Sequence, residues 1–210
     1  MSGRFITFEG GEGAGKTTQL GLLRARLEAT GHKVRVTREP GGTEGAEAVR
    51  RLLLEGPADA WRPLSELFLV MAARDDHLHR AIMPALADGA WVLCDRYLDS
   101  TRAYQGIAGG LGLDLVDRLH EPLSRTRLPD LTILLDIDTE AGLERAHARG
   151  QVQRFEQKGV AFLDAVRRGF LDLAAREPDR IITIPAVGPV DRVGEAVWAT
   201  VRSRLLGSSP

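Results

Sequence analysis

Gly10-Gly11-Glu12-Gly13-Ala14-Gly15-Lys16-Thr17 fills every fixed position of the phosphate-binding pattern G-x-x-x-x-G-K-[ST]. The glycines let the backbone curl so that successive N–H groups point inward at phosphate oxygens. Lys16 adds a mobile positive charge for the β- and γ-phosphates, and the Thr17 hydroxyl suits the oxygen shell of Mg²⁺. A lysine with this task is expected to face solvent until phosphate arrives. The flanks agree with the pattern. Arg4-Phe5-Ile6-Thr7-Phe8-Glu9 reads as a short apolar strand entering the loop, and Leu20, Leu22, Leu23 and Leu27 recur at near-helical spacing after it. The loop thus joins a strand to a helix N-terminus, where an anion is favoured.

Asp95-Arg96-Tyr97 closes a second apolar run, Val92-Leu93-Cys94. An acidic residue at such a strand end is where nucleotide-triphosphate enzymes keep a carboxylate for Mg²⁺. Asp95 fits that task, or that of orienting Arg96, and Asp-Arg is equally an ordinary surface ion pair. The following Asp99-Ser100-Thr101-Arg102-Ala103-Tyr104-Gln105-Gly106 is dense in hydrogen-bonding side chains, with Thr101 and Gln105 one helical turn apart. That spacing can read the edge of a base. A third segment, Arg145-Ala-His147-Ala-Arg149-Gly150-Gln-Val-Gln-Arg154-Phe155-Glu156, clusters arginine and histidine between two amphipathic stretches. It reads either as a solvated surface loop or as a basic lid that brings cations to a γ-phosphate and excludes water.

The elements that position these residues alternate short apolar runs with longer amphipathic ones, the pattern of a parallel sheet covered by helices. Strands are expected at 4–9, 33–38, 90–95, 131–136 and 180–184, and helices near 16–30, 44–55, 64–88, 112–121, 139–148, 158–176 and 189–205. Ligands in such sheets gather at the carboxyl ends of strands. Here those ends carry Glu9, Arg38-Glu39, Asp95-Arg96 and Asp136. The 210 residues read as one α/β domain, with no internal repeat or linker, and with the basic segment at about 145–158 as its lid. A net charge of −1 supplies no basic field for nucleic acid or an anionic membrane. Of 28 basic residues only Lys16, Lys33 and Lys158 are lysines. That arginine bias suits bidentate phosphate binding, but compositional drift would produce it too. One cysteine, Cys94, permits no internal disulfide and fits a reducing, cytoplasmic setting. No apolar run reaches membrane-spanning length.

Together these segments resemble the thymidylate kinases, along nearly the whole chain. The resemblance rests on Phe8-Glu9-Gly10 running into the phosphate loop, Thr37 through Thr43, Ala72-Ala73-Arg74, Asp95-Arg96-Tyr97, Ser100 through Gln105, Pro129-Asp130-Leu131-Thr132 and the lid. It implies a P-loop NTPase fold with a five-stranded parallel sheet, a homodimer, and phosphorylation of dTMP by ATP with Mg²⁺. By the same resemblance Gly10 through Thr18 hold ATP phosphates, and Thr17 and Asp95 serve the metal. Arg74 would bond the thymine O4, Thr101 and Gln105 would read its N3 side, and Tyr104 would crowd the sugar C2′. Glu39 and Ser100 would belong to the same dTMP site. Glu12 would reach the sugar 3′-hydroxyl or the metal shell, and Arg50 and Arg96 would hold the acceptor phosphate. Arg74 also has a plainer reading, as an ion-pair partner of Glu66 or Asp75.

The family places its catalytic cations in two ways, with an arginine after the acidic loop residue or with arginines on the lid. Gly13 after Glu12 resembles the second, bacterial arrangement, and makes Arg149 and Arg154 the lid candidates, since His147 stands where related lids carry arginine. Val70 departs from the family, which usually has a base-stacking phenylalanine four residues before Arg74. Helical geometry places Val70 on the Arg74 side and turns Phe68 away, toward an expected core. Leu67 through Ala73 is apolar almost all round a helix, so it needs burial on more than one side. Another monophosphate kinase is the near alternative. A nucleotide-dependent switch is the distant one, since no N-K-x-D guanine signature is present.

Overall fold

Strands buried on both faces read as unbroken apolar runs, and three of the five here do so. The computed structural model describes residues 3–124, 127–148, 150 and 154–207. Its strands are β1 (Phe5–Glu9), β2 (Val34–Arg38), β3 (Trp91–Asp95), β4 (Leu131–Asp136) and β5 (Ile181–Pro185). Among the described residues they form one all-parallel sheet in the order β2-β3-β1-β4-β5. β1, β3 and β4 occupy the middle and are buried almost throughout, whereas edge strand β2 exposes Arg35, Val36 and Arg38. The register pairs Phe8 with Asp95 and Arg38 with Asp95, so the charged carboxyl ends of β1, β2 and β3 lie side by side.

Helices follow in chain order: α1 (Lys16–Ala29), α2 (Glu44–Leu54), α3 (Pro63–His77), α4 (Met83–Ala87), α5 (Leu98–Thr101), α6 (Leu113–Ser124), α7 (Thr139–His147), α8 (Val160–Arg176) and α9 (Val190–Val201). Alternation along β1 sends Ile6 and Phe8 to one face, where they meet Leu20, Leu23 and Leu27 of α1 and Val193 and Val197 of α9. Phe5 goes to the other face, against Leu67 of α3, Leu78, Ile82 and Tyr97. A third cluster joins Tyr104 to Val166, Phe170 and Leu173 of α8. Each fully buried Phe or Leu contributes roughly 1.5–3 kcal/mol, so these clusters fix the sheet that carries the site. No helix of the described residues is long and apolar enough to cross a membrane.

Two departures from the expected elements have physical causes. The helix expected over 64–88 continues through a wide π-helical turn at Leu78–Ile82 that joins α3 to α4. Pro84, just inside α4, has no N–H to give the preceding turn. The polar segment after Asp95 is itself helical, as α5 and a π-helical stretch at Arg102–Ala108. Its buried face carries Asp99, Thr101 and Gln105 beside Ala103 and Tyr104, so no apolar periodicity marked it.

Candidate active site

The phosphate loop is held open for an anion by three glycines in left-handed or related conformations: Gly10 (φ 134°), Gly13 (φ 68°) and Gly15 (φ 84°). Gly15 caps α1 without any side-chain hydrogen bond, so the first N–H groups of that helix keep their donors free. At Gly13 the backbone approaches α7 so closely that a Cβ would sit 1.9 Å from the Gly142 carbonyl oxygen. An arginine at this position is sterically impossible in this loop geometry.

Lys16 does not project into solvent as expected. It is 7% exposed, and its Nζ donates to the carbonyl oxygens of Gly11 (2.8 Å) and Gly10 (3.2 Å). The ammonium is folded back on its own loop. Burial, and then the Arg96 charge, press its pKa below the ordinary lysine value, against the pull of Glu12 and Asp95. Thr17 Oγ1 donates to Asp95 Oδ2 at 2.8 Å, so the hydroxyl and carboxylate meet at the mouth of the loop. Arg96 follows β3 with φ 71°, a left-handed conformation that costs a non-glycine residue about 1–2 kcal/mol. The turn aims its guanidinium back at the loop: Nη1 donates to Gly10 O (2.9 Å) and Ser100 Oγ (3.2 Å), and Nη2 to Glu12 Oε1 (2.7 Å). Tyr104 also donates to Glu12 Oε1, at 3.0 Å.

One cavity of about 360 Å³ gathers these groups with residues of β2, α2, α3 and the α5 region. Its lining includes Lys16, Thr17 and Thr18, then Glu39, Arg50, Val70 and Arg74, then Asp95, Arg96, Ser100, Thr101, Tyr104 and Gln105. Near the loop, Lys16, Arg50 and Arg96 gather beside the carboxylates of Glu12 and Asp95. Arg50 donates to Pro40 O (2.7 Å), and burial, together with the like charges of Arg38 and Arg96, holds its pKa below the ordinary arginine value. Cations pressed together in this way favour an incoming anion.

The other end is built to read a flat polar edge. Arg74 is 2% exposed, and its Nε donates to Glu39 Oε2 at 2.7 Å. Its partner is therefore Glu39, not Glu66 or Asp75. Glu39 spends its second oxygen on His77 Nδ1 at 3.0 Å, so its carboxylate orients Arg74. Arg74 Nη1 and Thr101 Oγ1 are buried without a hydrogen-bond partner among the described residues. Orphaned polar atoms this deep are costly unless a ligand satisfies them. Val70 lines the cavity, as its spacing from Arg74 predicts, whereas Phe68 is not in the core as expected but 54% exposed on the outer side of α3.

The chain also resembles known proteins along its length. The family profile described as "Thymidylate kinase" matches residues 8–197. The chain belongs to the thymidylate kinase family. It is 53% identical over 203 residues to the thymidylate kinase of Caulobacter vibrioides, covering 97% of this chain and 98% of that one. With the thymidylate kinase of Magnetococcus marinus it shares 49% over 211 residues, covering 99% and 100%. The crystal structure of thymidylate kinase from Ehrlichia chaffeensis superimposes with a TM-score of 0.78 at 34% identity, over 96% of this chain and all of that one.

The basic segment of this thymidylate kinase family member is only partly where a lid was expected to act. Phe155 and Glu156 line the cavity, and Phe155 packs edge-on against Tyr104 at 5.4 Å. Arg154 does not reach toward the phosphate loop. Its side chain is fully buried, with Nε donating to Leu53 O (2.7 Å), Nη1 to Ala58 O (3.1 Å), and an ion pair to Glu66. Arg149 lies outside the described residues. Asp136, grouped with the other strand ends, pairs instead with Arg167 at 2.8 Å and takes no part in the cavity lining. Sequence reasoning missed the pairing of His77 with Glu39, of Glu66 with Gln105 and Lys158, and of Phe155 with Tyr104, contacts between segments far apart in the chain.

Proposed function

We propose that the cavity holds dTMP with its base at Arg74, Thr101 and Gln105 and its phosphate between Arg50 and Arg96. The chain phosphorylates dTMP to dTDP, with ATP as donor, as a member of its family. The observation that carries the residue assignment is the pair of buried, unpartnered atoms Arg74 Nη1 and Thr101 Oγ1 in a cavity also lined by Arg50 and Arg96. A donor at Arg74 matches the C4 carbonyl of thymine, where cytosine carries an amino group instead.

The acceptor phosphate is already anionic at neutral pH, so the reaction needs little base catalysis. Positioning and charge neutralisation are the main work. Loop N–H groups and the α1 N-terminus hold the donor phosphates, and Lys16 turns from Gly10 and Gly11 onto them. Arg96 lies between loop and cavity, where donor and acceptor phosphates meet. Glu12, tied to Arg96 and Tyr104, fixes that guanidinium beside the sugar. The Thr17 hydroxyl and Asp95 carboxylate are a hard-oxygen pair of the kind that binds Mg²⁺ through one or two protein oxygens, with phosphates and water completing the shell. When bound there, the ion neutralises phosphate charge. The segment from about 145 to 158 acts as the lid of a single domain, with Arg149 as its cation over the transferred group. Arg154 would have to leave Leu53, Ala58 and Glu66 to share that role, so we assign it to holding the lid. The buried free thiol of Cys94 fits a cytoplasmic enzyme.

Steady-state turnover with ATP against dTMP, dUMP, dCMP and dGMP tests the base assignment. The expected order places dTMP first, dUMP behind it, and the other two at least about 10²-fold lower in kcat/KM, as expected when polar groups in a site go unmatched. Efficient use of dCMP would reject the Arg74 assignment.

A further inference from the structure

The Gln105 side chain is asymmetric, with an NH₂ that donates and a carbonyl that accepts. A base-reading glutamine is useful only if one of the two orientations is enforced. In this structure Gln105 is 3% exposed and lines the cavity, and its Nε2 donates to Glu66 Oε2 at 3.3 Å. Glu66 is 2% exposed and lies on α3, two turns before Arg74. Its other oxygen, Oε1, takes ion pairs from Arg154 Nη1 and Lys158 Nζ, both at 2.8 Å. A carboxylate facing two cations accepts on both of its oxygens. Only the NH₂ of Gln105 can therefore face it. The amide's Oε1 has no hydrogen-bond partner among the described residues and is left as an acceptor.

We propose that Glu66 is a specificity-positioning residue: it locks the Gln105 amide so that the cavity meets an acceptor, which selects a base with an N3–H. Thymine has that proton. Cytosine presents a lone pair at N3 and is repelled. Glu66 touches no substrate and acts through Gln105. The inference rests on the reading that the base meets Gln105.

A double-mutant cycle tests both levels. Gln105→Met should raise KM for dTMP roughly tenfold, the usual scale for one lost buried hydrogen bond, with KM for ATP within about twofold. Glu66→Gln frees the amide to turn, so it should also raise KM for dTMP roughly tenfold and lower the dTMP-to-dCMP ratio of kcat/KM. In the Gln105→Met background the same substitution should add less than about twofold. Equal effects in both backgrounds, or no change in KM, would overturn the role of Glu66 and leave the base site standing. An unchanged KM in Gln105→Met alone would overturn the base site and the proposal with it. Should Glu66→Gln not fold, the unmodified protein decides by NMR. The Gln105 NH₂ resonances, assigned by their loss in Gln105→Met, should barely move on adding dTMP, whereas a large shift means the NH₂ faces the base.

Discussion

Lys16 is the residue on which most of the donor chemistry depends, and its folded-back position defines what its loss does. Truncation to alanine removes a buried ammonium that bonds only to the Gly10 and Gly11 carbonyls, so the sheet and its clusters stay intact. Lys16→Ala is expected to lower kcat by about 10²–10³ while thermal unfolding stays cooperative; turnover near the unsubstituted level would remove the loop from the reaction. Val70 offers the base a branched aliphatic group where a ring could stack. Base–aromatic stacking is worth about 1–3 kcal/mol by substitution. Val70→Phe should therefore lower KM for dTMP several-fold and leave KM for ATP alone, which a two-substrate kinetic analysis reads directly. Glu9 tests the buried support beneath the site. Its carboxylate accepts from Tyr97 N (2.7 Å) and Ser100 Oγ (2.5 Å), and burial, with Asp99 beside it, pushes its pKa up from 4.5 to about 7. Between those values the folded chain holds a proton that the unfolded chain has lost, so Glu9 makes stability fall as pH rises. Buried His120, held down at about 2, acts in the opposite sense up to 6.5. The measurement is therefore a difference: unfolding free energy of Glu9→Gln minus that of the parent should grow from pH 4.5 to 7, where His120 cancels. A flat difference would contradict the raised pKa.

Among the elements, the contact between the phosphate loop and α7 sets the loop's height above the sheet. Gly142 in α7 would carry a Cβ 2.5 Å from the Glu12 carbonyl oxygen, and Gly13 meets Gly142 from the other side. Gly142→Ala improves helix propensity by about 1 kcal/mol. It also pushes on a rigid backbone atom of the loop, and a displacement near 1 Å costs on the order of 10²-fold in rate. The expected variant loses activity far out of proportion to any change in Tm; full activity would show that the loop yields freely. Neither glycine's role is visible in the sequence beyond the pattern match at the loop. What was legible there came from periodicity and from fixed spacing. Buried strands such as Leu131–Asp136 declared themselves as apolar runs, and Thr101, Gln105 and Val70 fell on the cavity because helical spacing is rigid. The α5 region did not declare itself, because a helix that buries Asp99, Thr101 and Gln105 has no apolar stripe. Arg154 read as a lid cation since nothing near it in sequence announced its ion pair with Glu66 on α3. Side chains paired across the fold are invisible to local pattern.

At the scale of the whole molecule, one surface is left without an explanation inside a single chain. Phe68 is 54% exposed and Leu64 41%, one helical turn apart on the outer side of α3. The opposite side of the same helix carries Val70 and Arg74 to the cavity, Glu66 to Gln105 and Leu67 into the core. A helix that holds a base site on one side and an apolar row on the other suits a two-fold dimer, in which α3 packs on a symmetry mate. We propose that packing as a homodimer contact. Sedimentation or light scattering should then give twice the chain mass at micromolar concentration, and Phe68→Glu should shift the population toward monomer by burying a charge at the contact. The coupling to function follows from sharing one helix. Freed of its mate, α3 gains motion at Val70, Arg74 and Glu66 while the phosphate loop, on the other face of the sheet with α1, keeps its support. Phe68→Glu should therefore raise KM for dTMP more than KM for ATP. A parent chain that is monomeric at micromolar concentration would reject the dimer. A monomeric variant with unchanged KM for dTMP would show that α3 is held rigid by its own chain alone.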